Sequence, residues 1–241
     1  MYESQTYRQW IKDSDLVSFN VAVKQTDLYI RARCNLKDKA RRSVLKHRAS
    51  LEKYIEHHPL FLTTLEPYQA EKDAPAIVKE MARASQLAGV GPMAAVAGAI
   101  AEAVGRDLLP FSSEVIVENG GDIFLKIVQK RLVGIYAGQS PFTGKIALQI
   151  KSQETPLGIC TSSATIGHSL SLGGADAAIA LSPSTPLADA IATAAGNMVK
   201  DAKDISGAVG KAQKIAGLYG IVIIKDDRVG IWGKVKIVPL S

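Results

Sequence analysis

"LVSFNVAVKQTDLYIRAR", Leu16–Arg33, holds two β-rich runs, Leu16–Val23 and Leu28–Arg33, joined by the turn-like Lys24–Asp27. A connection this short lets the runs pair only in opposite directions, since parallel neighbours need a crossover of a dozen or more residues. The chain therefore opens on an antiparallel pair. Three helical stretches follow: "DKARRSVLKHRASLEKYIEHH" from Asp38, "APAIVKEMARASQLAG" from Ala74 and "PMAAVAGAIAEAVG" from Pro92. In the second, Ile77, Met81, Ala84 and Ala88 recur at a helical period, and Gly89 stops it. The third is nearly all Ala, Gly and Val, small side chains suited to close packing against a sheet, and Pro92 suits its first turn. Strand signals return in "SEVIVENGGDIFLKI" and "RLVGIYAG".

The second half repeats the order. "KIALQIKS" and "PLGICTS" read as a strand pair around the turn "QETP", followed by the apolar run "ADAAIALS". Two helices, "STPLADAIATAAGNMVKD" and "ISGAVGKAQKIAG", lead to the strands "YGIVIIKDD" and "VGIWGKVKIV". Both halves, roughly 16–138 and 144–239, thus run strand, strand, helix, helix, strand, strand. No Pro/Gly/Ser-rich linker divides them, so a single domain over 1–241 with one shared core is expected. Antiparallel pairs with helices grouped between them place the fold in the α+β class rather than among parallel Rossmann sheets.

Hydrophobic content of 47% and charged content of 22% supply an ordinary globular core. The chain has no apolar run of membrane-spanning length, and "MYESQTYRQWIKDSD" is too polar for a signal peptide, so the expected compartment is the cytoplasm, with no membrane partner. Cys34 and Cys160 lie far apart, which argues against a disulfide and against a thiolate zinc site. The net charge of +6 is concentrated: nine Lys or Arg lie between Arg31 and Lys53, against Asp38 and Glu52. A solvated basic helix face accounts for this; an electrostatic guide for a small anionic ligand is the sharper reading. Nucleic acid ranks below both, because no aromatic residues interleave the basic ones.

Three polar constellations stand out. "VIVENGGDIF" reads either as a hairpin turn, with Asn-Gly supplying the positive-φ residues, or as a bulge where Gly120 and Gly121 admit a ligand beside Glu118 and Asp122. In "STPLADAIATAAGN", Thr185 is the expected cap of a helix begun by Pro186, with Asp189 in its favoured first turn. Asp189, Thr193 and Asn197 form one polar line at helical spacing. That line reads as a solvated stripe, or as half of a hard-cation site built on the Asp189 carboxylate and the Thr193 hydroxyl. In "GICTSSATIGHS", Cys160 reads first as a small core residue. Thr161, Ser162 and Ser163 past a strand end can present hydroxyls and amides to a phosphate, and His168 can orient or protonate a substrate.

Taken in order, "NGGDIF", "TSS" at a strand end, a His in a glycine-bearing loop and "ADAIATA" on a helix resemble the ApbE-like superfamily of flavin transferases. The longer blocks "GVGPMAAVAGAIAEAVG", "VENGGDIF", "GICTSSATIGHSLSLGGADA" and "LADAIATAAGN" are similar to its branch with ENGGDIF and GICTSSxTxGHS blocks. The resemblance implies two T-fold-like β-β-α-α-β-β repeats packed as one ApbE-like domain, with FAD or FMN in the inter-repeat cleft and Mg²⁺ assisting transfer. By motif, Asp189 and Thr193 resemble the metal-binding pair, and Gly120, Gly121 and Asp122 the turn beside the flavin. Thr161, Ser162 and Ser163 resemble the hydroxyl turn near the cofactor, and His168 the histidine opening the active-site loop. The chain departs from the transferases where "HSLSLGGAD" replaces their "IDP.TG" pattern and where Ala97 stands for the lysine of their "AKG" helix. The resemblance also implies a second reading, in which Cys160 handles sulfur with His168 as acid or base during anaerobic sulfide assimilation towards homocysteine. A third makes the chain a binding or scaffold protein whose small-residue helices at 92–105 and 186–197 pack a homo-oligomer.

Overall fold

The computed structural model describes residues 15–163 and 173–240. The opening pair forms as the sequence requires. β1 (Val17–Val23) runs antiparallel to β2 (Thr26–Ala32) in a register from Val17↔Ala32 to Val23↔Thr26. The turn is tighter than the four residues expected: only Lys24 and Gln25 connect the strands, with Lys24 at φ 52°. Then come α1 (Lys37–His57), α2 (Leu60–Thr63), α3 (Ala76–Ala88) and α4 (Val96–Leu108), and the hairpin β3 (Val115–Asn119) and β4 (Asp122–Lys126). Pro92 opens a short 3-10 turn over Pro92–Ala95 rather than α4 itself.

The remaining elements are β5 (Arg131–Gly134), β6 (Ile146–Ile150), β7 (Leu157–Ser162), β8 (Ala177–Ser182), α5 (Thr185–Asn197), α6 (Ile205–Ala212), β9 (Gly220–Lys225), β10 (Arg228–Gly233) and β11 (Ile237–Pro239). Eight strands make one antiparallel sheet in the order β1-β2-β3-β4-β7-β8-β9-β10, and β11-β6-β5 make a small second sheet. The large sheet thus consists of two consecutive runs of four strands, each with two strands before a helical segment and two after it.

The expected pairing of "KIALQIKS" with "PLGICTS" does not occur. β6 pairs with β5 and β11, whereas β7 inserts between β4 and β8. Burial explains the exchange. In β7, Leu157 and Ile159 pack on one side and Cys160 on the other, so the strand needs cover on both faces. Only the middle of the large sheet provides it.

The strand period of two divides the core into two layers. One cluster joins Val117, Phe124, Cys160 and Ile221 to the helices. The other joins Ile116, Ile123, Ile159 and Ile179 to Val133, Ile135, Leu148 and Ile150 of the small sheet. At one end the two sheets are tied by charge. Arg131 of β5 donates to the fully buried Glu114 (Nη2–Oε1 2.7 Å, Nε–Oε1 2.9 Å) and to Asp15 (Nη1–Oδ1 2.6 Å). The hydrogen bond from Arg131 holds the Asp15 carboxyl down at about 2. Among the described residues no single helix is long and apolar enough to cross a membrane.

Candidate functional site

The β3–β4 hairpin is closed by the pair Asn119↔Asp122, so the residues in the turn are Gly120 and Gly121 rather than Asn119 and Gly120. Their φ values of 65° and 105° are the left-handed conformations that glycine adopts without strain. Next to this turn the sheet presents different chemistry on each face.

On the face towards the small sheet lies a cavity open to solvent at its mouth. Its polar lining comes from Tyr29 and Arg31 of β2, Glu118 of β3, Tyr136 after β5, and Thr161 and Ser163 at the end of β7. Gly120 and Gly121 form part of the rim, and Ile123, Ile135 and Ile159 supply apolar wall. Arg31 and Glu118 are both buried, at 4% and 6% exposure. Such burial of charge is rare without partners. The Arg31 guanidinium carbon lies 4.7 Å from the centre of the Tyr29 ring, and Glu118 Oε1 accepts from the Gly121 N–H at 3.2 Å.

On the helix face of the same strands, Asp122, Cys160 and Asp189 are buried together. Asp189 does not serve the first turn of its own helix. Its Oδ2 accepts the Gly98 N–H at 2.8 Å, and the Ala97 N–H adds a second bond, so the carboxylate faces the start of α4. Gly98 permits this approach: a Cβ there would sit 2.6 Å from the Thr185 carbonyl oxygen and 2.9 Å from Asp189 Cβ. The cap of α5 is Ser184, whose side chain accepts the Leu187 N–H. Thr185 is instead buried, its N–H donating to Glu102. The stripe read as solvated is therefore an interior one: Asp189 is 9% exposed, and Thr193 and Asn197 are half-buried.

Burial dominates the electrostatics here. It pushes the Asp189 carboxyl up to about 7 against the pull of its two amide donors. It raises Asp122 well above the carboxylate range, reinforced by the charge of Asp189 and opposed by hydrogen bonds from the Cys160 thiol and the Thr161 amide. One Asp122 oxygen, Oδ1, is buried without a hydrogen-bond partner. Cys160 is fully buried, with the Thr185 carbonyl oxygen 3.4 Å from its Sγ as the alternative acceptor for its one proton, and is pushed well above the usual thiol range, first by burial and then by the two carboxylates. A thiol so placed is neutral, whereas the thiolate is the nucleophile. In the native protein near pH ~8, iodoacetamide is expected to label the exposed Cys34 and to leave Cys160 unmodified until denaturant is added. Equal native labelling of both cysteines, read by peptide mass spectrometry, would contradict this.

The residues singled out in the sequence therefore fall into two groups. Gly120, Gly121, Thr161 and Ser163 share the cavity; Asp122, Cys160, Ser162 and Asp189 share the opposite face, with Thr193 one helical turn beyond Asp189. His168 lies outside the described residues. Sequence reasoning missed Tyr29, Arg31 and Tyr136. A signal existed for two of them: Leu28 and Ile30 set one face of β2, which puts Tyr29 and Arg31 together on the other. Among the described residues no group of three His, Cys, Asp or Glu side chains is arranged to hold a metal. The Asp122 oxygen without a partner and the strained ionisation of Asp189 nevertheless suit a hard cation, which would complete its shell with hydroxyl, ligand or water oxygens.

This three-layer architecture is that of the ApbE proteins. The flavinyl transferase ApbE of Pseudomonas stutzeri superposes with a TM-score of 0.57 at 12% identity, over 90% of this chain and 94% of that one. The ApbE protein of Thermotoga maritima gives 0.60 at 11%, over 89% and 96%. Residues 8–216 match the family profile described as AbpE bacteria, and the chain belongs to that family. Its relatives include a UPF0280 protein of Methanocaldococcus jannaschii, 44% identical over 202 residues and 82% of each chain, and one of Methanococcus vannielii, 39% identical over 227 residues and 92% of each.

Proposed function

We propose that the protein binds a flavin nucleotide, with the ring system in the inter-sheet cavity and the phosphates passing the Gly120–Gly121 turn. The observation that carries this reading is the lining itself. Two tyrosines and isoleucine walls offer stacking and apolar contact, while Arg31 and Glu118 supply one fixed cation and one fixed acceptor. A planar heterocycle with carbonyl and N–H groups along one edge matches that pair. The turn adds no side chain, and a Cβ at Gly120 would meet nothing within 4 Å, so the approach to the rim is open.

The superposed P. stutzeri protein is a flavinyl transferase, which agrees with this ligand class. Asp189 and Thr193 would hold a divalent cation such as Mg²⁺, with Asp122 as a further oxygen donor; when bound, the ion would offset diphosphate charge. The chain's own contribution is to fix Asp189 through the Gly98 and Ala97 amides, to exclude water from Asp122, and to orient the ring through Arg31 and Glu118. The absent "IDP.TG" pattern concerns the transfer step, so binding is the activity proposed.

Calorimetric titration with FAD and FMN, with and without MgCl₂, tests the reading. Both nucleotides are expected to bind, and Arg31→Ala is expected to weaken them about tenfold or more, the value of a charge-assisted hydrogen bond. Failure of both nucleotides to bind the wild-type protein, with or without Mg²⁺, would refute it.

A further inference from the structure

We propose that Asn119 is a positioning residue that couples the two chambers: it holds the Ala97–Gly98 peptide between the Gly120–Gly121 turn and Asp189, so that a cation on one face of the sheet and a nucleotide on the other strengthen each other's binding. This coupling rests on the nucleotide and cation sites proposed above. Asparagine is a poor strand former, and the turn does not require it, since the positive φ values fall on Gly120 and Gly121. What Asn119 contributes is its side chain. Val117 packs into the helix layer, and the period of two sends Asn119 the same way, while Glu118 between them lines the cavity. On the helix side Asn119 Nδ2 donates to the Ala97 carbonyl oxygen at 3.0 Å.

That carbonyl belongs to the same peptide unit as the Gly98 N–H, which donates to Asp189 Oδ2 at 2.8 Å. One peptide plane is therefore held at opposite ends by side chains from β3 and α5. Hydrogen bonds in such a chain polarise one another, so donation to the carbonyl strengthens the bond from the N–H to the carboxylate. The start of α4 depends on that carboxylate. First-turn amides of a helix have no partner within it, and Ala95 at the N-cap position has no side-chain acceptor to offer. Across the turn, Asp122 pairs with Asn119 and enters the chamber of Asp189, while the Gly121 N–H is tied to Glu118 Oε1 of the cavity at 3.2 Å. A cation that fixes Asp189 thereby fixes the peptide, the Asn119 side chain and the rim of the cavity. The same chain of contacts runs in the other direction, because coupling between two ligands is reciprocal.

Two measurements on the full chain test this. In the ligand-free protein, Asn119→Ala and Asn119→Asp, the second of which keeps the shape but lacks the N–H donor, are each expected to speed exchange of the Gly98 amide about threefold to tenfold, the worth of one hydrogen bond. In calorimetry, MgCl₂ is expected to tighten FMN binding to the wild type about tenfold, and to Asn119→Ala by about threefold or less. Any ion–phosphate contact is common to both proteins, and Asp122 carries the coupling that survives. A residue that only supported the fold would weaken FMN binding equally with and without the ion, leaving the enhancement intact. A wild type that binds no FMN would overturn the nucleotide reading and the coupling with it. A wild type that binds FMN with no help from Mg²⁺, an enhancement undiminished in Asn119→Ala, or a Gly98 amide indifferent to both variants would overturn the coupling alone.

Discussion

Asp189→Asn is expected to stabilise the metal-free protein above neutral pH and to reduce the dependence of its stability on pH. The Asp189 carboxyl is raised from 3.8 to about 7 because burial disfavours its charge more than the Gly98 and Ala97 amides favour it. A carboxyl whose folded-state value lies above its unfolded one makes the folded chain the better proton binder between those values. Stability is therefore fully present below about pH 4 and declines as pH rises to about 7, with the penalty complete above. A shift of this size corresponds to at most on the order of 4 kcal/mol. Asparagine cannot ionise, yet its carbonyl oxygen can still accept the Gly98 N–H. Asp122, shifted in the same direction by burial and by the charge of Asp189, retains part of the slope. Urea unfolding at several pH values between 5 and 8.5 (about neutral, within one unit or two) provides the measurement. Identical slopes for wild type and variant would contradict the argument. Mg²⁺ should stabilise the wild type more than the variant, because the variant loses the Asp189 carboxylate and keeps only Asp122 beside the ion.

The second large effect is expected at Gly158. This glycine of β7 lies beneath the first turn of α5, where an added Cβ would be 2.5 Å from Thr185 Cα and 2.8 Å from its Oγ1. The obstacle is backbone, so no rotamer change can relieve it. Gly158→Ala is expected to cost about 2–4 kcal/mol in urea unfolding, at the upper end of overpacking. Gly207 of α6 is the matched control: nothing lies within 4 Å of a Cβ there, and alanine is expected to stabilise by about 0.5–1 kcal/mol through helix propensity. Equal tolerance at both sites would show that the α5–β7 contact is looser than described.

Much of the fold could be read from the chain because the deciding signals are local. Leu16–Arg33 forces an antiparallel pair, Gly89 ends α3 in a left-handed cap at φ 72°, and the two glycines after Asn119 demand a tight turn. Strand partnership is not local. "KIALQIKS" and "PLGICTS" have similar apolar patterns, and only assembly shows that β7 needs cover on both faces and β6 joins the small sheet. The cap of α5 was misplaced by one residue because Ser184 and Thr185 both carry hydroxyls; the distinction lies in Glu102, 83 residues away, which takes the Thr185 amide. Likewise, nothing near Asp189 announces that its donors come from Gly98, 91 residues earlier. Arg31 was grouped by sequence with the basic segment that follows it, although β2 turns its side chain into the cavity. The candidate site was legible as a set of residues and not as an arrangement, since the period of two sends neighbours of one strand to opposite faces.

That alternation has an experimental consequence. Thr161 and Ser163 belong to one compartment, Cys160 and Ser162 to the other, and the partition between them is a single polypeptide ribbon. A mutation meant to perturb either chamber therefore tugs on a backbone shared with its neighbour. Nucleotide affinity and cation affinity should be scored together for every variant in this strand, because a change in one alone does not identify the room in which the damage began.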